Sequence, residues 1–260
     1  MESGKYNIKA VIRCLKILDL AASADQPLSI NGVCEALKLN VNMAFRMLSS
    51  LTASGFMVKD ETTGLYAVSL KALRLSRNAL LSLDIRKLTM PYLELLWNQY
   101  PRANLNMAVY QGGDILVIDH IDSQSVPRSY FTPGKTLPFH CTALGKILTC
   151  ELGETELEAL IVQKGLEAYT ERTITRAEAL KRELAEARAG QIAREREEYI
   201  LKDNCNAVPL RDKQGKISAA ISMSAFENYM SAEELEAAVP ALGNTARRIS
   251  SLAGFRGGME

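Results

Sequence analysis

The sequence is poor in histidine, with two residues at positions 120 and 140. That is too few for a metal cluster, and no cofactor is expected. It lacks any run of about 18 apolar residues, which excludes a membrane-spanning helix. Its opening stretch, MESGKYNIKA, has no apolar h-region, so no secretory signal is expected there. The five cysteines, at 14, 34, 141, 150 and 205, form no CxxC pair and no even framework. Free thiols in a reducing cytoplasm are the expectation. Charge of one sign is also lacking, at a net +1 over 260 residues.

That near-zero balance hides an asymmetry. Residues 1–80 carry 10 Lys/Arg against 6 Asp/Glu, a balance of +4, and the remaining 21 against 24 give −3. A mildly basic first third suits a polyanionic partner. With 47% hydrophobic residues the chain can build one large or two small cores.

The first third reads as three helices and a hairpin. Residues 9–22 place Ile12, Leu15, Leu18 and Ala22 in one helical stripe, ended by Asp25-Gln26-Pro27. Ser29 is a fitting N-cap for a helix over 30–37. Lys38, Leu39 and Asn40 then connect to the stretch LNVNMAFRMLSSLTASGF at 39–56. Asn40 is its expected N-cap and Gly55 its C′ residue. Two short strands, FMV and LYAV, flank a polar KDETTG turn. A three-residue connection between the second and third helices is helix-turn-helix spacing, and the hairpin is its wing.

The third helix has two faces. Val41, Ala44, Met47, Leu48 and Leu51 form an apolar core stripe. Asn42, Phe45, Arg46 and Ser49 fall on the other side at i, i+3, i+4, i+7 spacing. This second row is either a solvated face or a surface that enters a major groove. In the second reading Asn42 and Arg46 hydrogen-bond bases or phosphates, Met43 and Phe45 touch thymine methyls, and Lys59 in the wing approaches the backbone. A solvated face rarely carries exposed Phe and Met, which favours the groove.

Residues 69–83 read as a connecting helix capped by Ser69. It bears two apolar lines, Leu73 with Leu80 and Ala72, Leu75, Ala79 with Leu83, so it packs either in its own chain or against a partner. Beyond it come a helix kinked or restarted at Pro91, a hairpin around QGGD, and a second hairpin in NCNAVPLRDKQGKISAAISMSAF. Thr155–Glu158, Thr175–Glu178 and Ser231–Glu234 are expected capping boxes. The helix from 232 is expected to run to Gly254, with Pro240 inside it. REREEYI reads as a solvated charge run, with one carboxylate turned inward as the alternative. Helices and hairpins in this order predict an α+β domain with a mainly antiparallel sheet.

In the strand 217–224, Ser218, Ala220, Ser222 and Ser224 share one face. Such a small, hydroxyl-bearing face leaves room for a bound polar molecule or for a closely packed helix. GKTLPFHCTALGKIL adds a loop and a helix start near Cys141 or Thr142, whose free N–H groups suit a carboxylate. Ala143 and Gly145 would let a ligand approach the backbone. His140 beside Cys141, or Cys205, could suggest an enzyme, but no oxyanion hole or third partner accompanies them, and no catalytic residue is assigned.

Over nearly its whole length the chain resembles the IclR family of transcriptional regulators. The resemblance is carried by KAVIRCLKILDLAASADQPLSINGVCEALKLNVNMAFRMLSSLTASGF, TGLYAVSLKALRLS, LPFHCTALGKIL, TERTIT, NCNAVPLRDKQGKISAAISMS and ARRISSLAG, in that order. It implies a winged helix-turn-helix (1–68), a linker helix (69–83) and a GAF-like effector-binding domain with an antiparallel sheet (84–260). It implies a homodimer or dimer of dimers on a palindromic duplex operator, and a small organic acid as effector: a sugar acid, a 2-oxo acid or an aromatic acid. The effector's carboxylate would meet the N–H groups of Ala143 and Leu144, with side chains from Glu195, Cys205, Ser222 and Ser224. Repression of a catabolic operon is the expected output, activation the alternative. The chain departs from the family pattern at Lys38 and Lys202, where glycine is usual, and at Asn206, where an aliphatic is usual.

Overall fold

The computed structural model describes residues 7–81, 83–124 and 131–256. The chain divides into two compact units, Met1–Ser82 and Leu83–Glu260.

The first unit contains α1 (Lys9–Ser23), α2 (Ile30–Leu37), α3 (Val41–Ala53), β1 (Met57–Lys59), β2 (Tyr66–Val68) and α4 (Ala72–Leu81). Both expected caps form. Ser29 Oγ accepts the Gly32 N–H at 3.0 Å, and Asn40 Oδ1 accepts the Met43 N–H at 2.8 Å. The turn between α2 and α3 is made by Lys38, which adopts the left-handed conformation at φ +51°, ψ +49°. The strands pair antiparallel, and Leu28 bridges Tyr66 through two 2.8 Å backbone bonds that tie the α1–α2 connection to the wing.

The core of this unit is Ile17, Val33, Ala44, Met47, Leu48, Leu51, Met57 and Tyr66. On α1 the inward line is Cys14, Ile17, Leu18 and Ala21, not the expected stripe: Ile12, Leu15 and Ala22 are exposed. Apolar residues occupy two sides of α1, and periodicity alone does not say which side faces in. On α3, Val41 is 58% exposed and leaves the core stripe; it is the first residue of the helix. The connecting helix starts three residues later than expected. Ser69 Oγ accepts the Lys71 N–H at 3.2 Å, just ahead of the helix, while donating to the Gly55 carbonyl, and no residue of α4 is buried.

The second unit runs α5 (Asp84–Gln99), β3 (Asn104–Gln111), β4 (Asp114–Ile121), β5 (Thr136–Leu137), α6 (Ala143–Thr149), α7 (Glu154–Lys164), α8 (Ala177–Gly190), β6 (Ala193–Arg196), β7 (Asp203–Arg211), β8 (Ile217–Phe226), α9 (Ala232–Ala237) and α10 (Val239–Leu252). Its strands form one antiparallel sheet in the order β5-β4-β3-β8-β7-β6. The β3–β4 turn is Gly112-Gly113, both at positive φ, as a two-residue hairpin loop demands.

Several expected boundaries move. α5 passes through Pro91 as one element. Of the three capping boxes only Ser231–Glu234 forms; α7 starts after Gly153 and α8 after Arg176 without side-chain caps. Pro240 lies in the first turn of α10 and marks a helix start, so the 232–254 segment is two helices.

Strand alternation gives the sheet two faces. One, with Ala108, Ala193, Cys205, Ala207 and Ala220, packs against α6, α7 and α8 in the main core. The other meets α9, where Asn206 Nδ2 donates to the Leu235 carbonyl at 3.2 Å, and α10. Asn206 therefore points away from the Cys205 face, as alternation requires.

Candidate functional site

In the first unit, Asn42, Phe45, Arg46 and Ser49 lie exposed in one row on α3, opposite buried Ala44, Met47, Leu48 and Leu51. Phe45 is 51% exposed. Met43 does not join this row. It is half-buried against the core, and its Sδ accepts from Arg13 Nη1 at 3.0 Å. Lys59 is on the wing, paired with Glu61 at 2.8 Å, and that carboxylate raises its pKa. The helix thus presents two hydrogen-bonding side chains, a hydroxyl and an aromatic ring from a rigid, capped scaffold.

In the second unit, Ala143, Leu144, Glu195, Cys205 and Ser222 line one small cavity together with Thr142, Leu137, Phe131, Tyr199 and Asp203. Its volume is ≈ 10 Å³, space for about one water. The small-residue face does leave room, but α6 fills most of it: every residue of that helix is buried. Gly145 belongs to this packing and not to a ligand. A Cβ there would lie 2.5 Å from the Phe139 carbonyl oxygen. The rings of Phe131 and Tyr199, 6.2 Å apart and stacked, line the same cavity.

At the start of α6, Thr142 Oγ1 accepts the Gly145 N–H at 3.0 Å, and the first helical bond runs from Lys146 to Thr142 O. The N–H groups of Ala143 and Leu144 precede that ladder. Ser222 Oγ accepts from Asn106 Nδ2 at 3.4 Å. Ser224 pairs with both Asn104 and Cys205 across the sheet, and its buried Oγ has no hydrogen-bond partner among the described residues.

REREEYI is not a solvated run. Glu195 is 3% exposed and Glu198 is buried. Glu195 Oε1 accepts the backbone N–H groups of Glu198 (2.5 Å) and Tyr199 (3.1 Å), which pulls the chain into a tight turn after β6. Burial, with Asp203 nearby, pushes the Glu195 carboxyl up to about 8. Burial pushes Asp203 up to about 7. Both acids hold protons far more readily than carboxyls in water. Asp203, Phe131 and Tyr199 escaped the sequence reading. Asp203 was accessible to it: two residues before Cys205 on the same strand, it must share that residue's face.

The residues that could suggest an enzyme, His140, Cys141 and Cys205, are all buried. His140 Nε2 is 2.9 Å from the Glu167 carbonyl oxygen, and desolvation lowers its pKa. Burial raises the Cys141 and Cys205 thiols well above their ordinary range, so neither carries a thiolate at neutral pH. Among the described residues no group of three His, Cys, Asp or Glu could hold a metal ion, and no helix is long and apolar enough to cross a membrane.

Residues 10–61 match the IclR helix-turn-helix domain, and residues 77–251 match the bacterial transcriptional regulator IclR C-terminal family. The chain is 26% identical over 248 residues to the HTH-type transcriptional repressor AllR of Escherichia coli K12, covering 95% of this chain and 91% of AllR. It is similar in fold to an IclR transcriptional regulator from Alicyclobacillus acidocaldarius (TM-score 0.79, 21% identity, 96% of this chain and 100% of that one). The same fold occurs in an IclR homolog complexed with 4-hydroxybenzoate from Microbacterium hydrocarbonoxydans (TM-score 0.75, 20% identity, 94% and 98%). The matched families and AllR are transcriptional regulators, not enzymes. The chain belongs to the IclR family of bacterial transcriptional regulators, with a winged helix-turn-helix and an α+β C-terminal domain.

Proposed function

We propose that this DNA-binding regulator is a cytoplasmic repressor that grips a palindromic operator through α3 and releases it when a small organic acid enters the cavity under α6. The observation that carries the DNA half is the exposed row Asn42, Phe45, Arg46 and Ser49 on a helix whose opposite stripe is core. Asn42 and Arg46 read base edges or phosphates, Phe45 meets thymine methyls, and Lys59 approaches the backbone of the duplex. Repression is supported by the likeness to AllR, a repressor. Two copies, or two pairs, match the two halves of the operator.

The effector half is supported by polar groups that the protein leaves unsatisfied. Ser224 Oγ is buried without a partner, and buried polar groups ordinarily find one. The effector's carboxylate meets the N–H groups of Ala143 and Leu144, while Glu195, Cys205, Ser222 and Ser224 hold the rest. The related homolog complexed with 4-hydroxybenzoate makes a carboxylate-bearing effector the natural class. At ≈ 10 Å³ the cavity must open as the ligand enters, and Phe131 and Tyr199 are the side chains to move. The opened form is then the state with low operator affinity, favoured by as much as the effector prefers it.

A thermal-shift screen of sugar acids, 2-oxo acids and aromatic acids on the full chain tests the effector half. A true effector at about 100 times its dissociation constant adds roughly 2.7 kcal/mol. Replacing both Ser222 and Ser224 by alanine is expected to blunt that shift while operator affinity persists. Loss of folding in that double variant would instead assign the serines to packing.

A further inference from the structure

The cavity contains a carboxyl group that no described residue engages. Asp203 is 5% exposed, lines the cavity from β7, and no hydrogen bond or ion pair engages its carboxyl group among the described residues. Glu195, across the same cavity, differs: one of its oxygens already accepts two backbone N–H groups. The hydroxyl of Ser224, on the adjoining strand and the same sheet face, is also buried and unpartnered.

Among the described residues, the cationic side chains of α6 and β6 are engaged elsewhere. Lys146 of α6 is directed to Glu198 Oε1 (2.6 Å), the Arg194 carbonyl (3.0 Å) and Glu183 (3.4 Å). Arg194 pairs with Glu236. Arg196 turns its guanidinium to Glu236 and to the carbonyls of Glu195 and Cys205. Thr142 Oγ1 donates to the Pro138 carbonyl. None of these described cations or Thr142 is therefore turned toward the Asp203 carboxyl.

We infer that Asp203 sets the effector class: a small acid that carries a hydroxyl as well as its carboxylate, the hydroxyl donating to Asp203. The inference rests on the cavity being the effector site. A plain aliphatic or aromatic acid would bury the Asp203 acceptor unmatched, which costs the desolvation of that group. A hydroxyl donates to Asp203 and still accepts from a serine hydroxyl. An ammonium would bring a full charge into a cavity with room for about one water, where a hydroxyl needs only one acceptor.

Three skeleton-matched sets test this by calorimetry on the full chain: lactate, propionate and alanine; gluconate and hexanoate; 4-hydroxybenzoate and benzoate. In at least one set the hydroxy acid is expected to bind about tenfold more tightly than its deoxy partner or more. Asp203→Leu is expected to erase that preference while the carboxylate still binds, and Asp203→Asn, which keeps an acceptor oxygen, to retain it. Equal binding of hydroxy and deoxy acids, tighter binding of alanine, or a preference that persists in Asp203→Leu overturns the role of Asp203 and leaves the effector cavity standing. Should Asp203→Leu not fold, loss of the preference in Asp203→Asn overturns it as well. Absence of binding by every acid removes the effector cavity itself, and this inference with it.

Discussion

The ammonium of Lys146, fully buried on α6, lies 2.6 Å from Glu198 Oε1, in the turn that follows β6. It also holds the Arg194 carbonyl, so one side chain fastens both ends of the segment that carries Glu195. Removing one partner of a buried pair leaves an uncompensated charge. Lys146→Ala is expected to cost about 3–5 kcal/mol, read as a drop in the urea midpoint of the second unit. A cost near zero would mean that Lys146 does not organise the turn that carries Glu195.

The raised carboxyls make stability fall with pH. Folded Asp203 titrates at about 7 and Glu195 at about 8, both above the unfolded values of 3.8 and 4.5. Between those limits the folded state binds more protons than the unfolded state, so stability is greatest below about pH 4 from this source and declines as pH climbs to about 8. Urea unfolding at pH 6 and pH 8.5 should show the wild type losing stability relative to Asp203→Asn, by on the order of 1–2 kcal/mol. Effector binding should weaken over the same interval, because two ionised acids repel an organic anion.

Lys38 sits where a left-handed backbone is required, and it is exposed. A non-glycine residue there costs about 1–2 kcal/mol, part of which glycine would return as unfolded-state entropy. Lys38→Gly is expected to raise the stability of the first unit by about 0.5–1 kcal/mol, measured by denaturation of the full chain. Lys202, at φ +63°, invites the same test in the second unit.

Asn40 closes the first turn of the reading helix. Asn40→Ala is expected to destabilise the first unit by about 1 kcal/mol and to weaken operator binding only in proportion to the unfolded fraction. A larger loss of binding at full folding would place Asn40 on the DNA.

The two units differ in how much of them was legible. In the first, caps, turn length and the two-sided α3 were readable because each is local: Ser29 and Asn40 cap within three residues, and the exposed row repeats at helical spacing. What failed there was the choice between two apolar sides of α1, which only the position of α2 and α3 decides. In the second unit the alternation of β8 put Ser222 and Ser224 on one face and Ile221 and Met223 on the other. The burial of Glu195 and Glu198 was hidden, because a charged run turns inward only when distant groups such as Lys146 receive it. Thr155 and Thr175 had the right spacing to glutamate for capping boxes, yet their helices begin at neighbouring residues. Asp203 could have been found by counting two back from Cys205 along the strand.

The reading helix itself is tested by Arg46→Ala. Arg46 is exposed and sits in a helix whose stability comes from the opposite stripe, so its removal should leave the melting temperature unchanged. Fluorescence anisotropy of the full chain, on a duplex selected from random sequence and on a scrambled control, is the direct measurement. The account predicts that the variant binds both duplexes with the same weak, salt-dependent affinity. Undiminished preference for the selected duplex would contradict it.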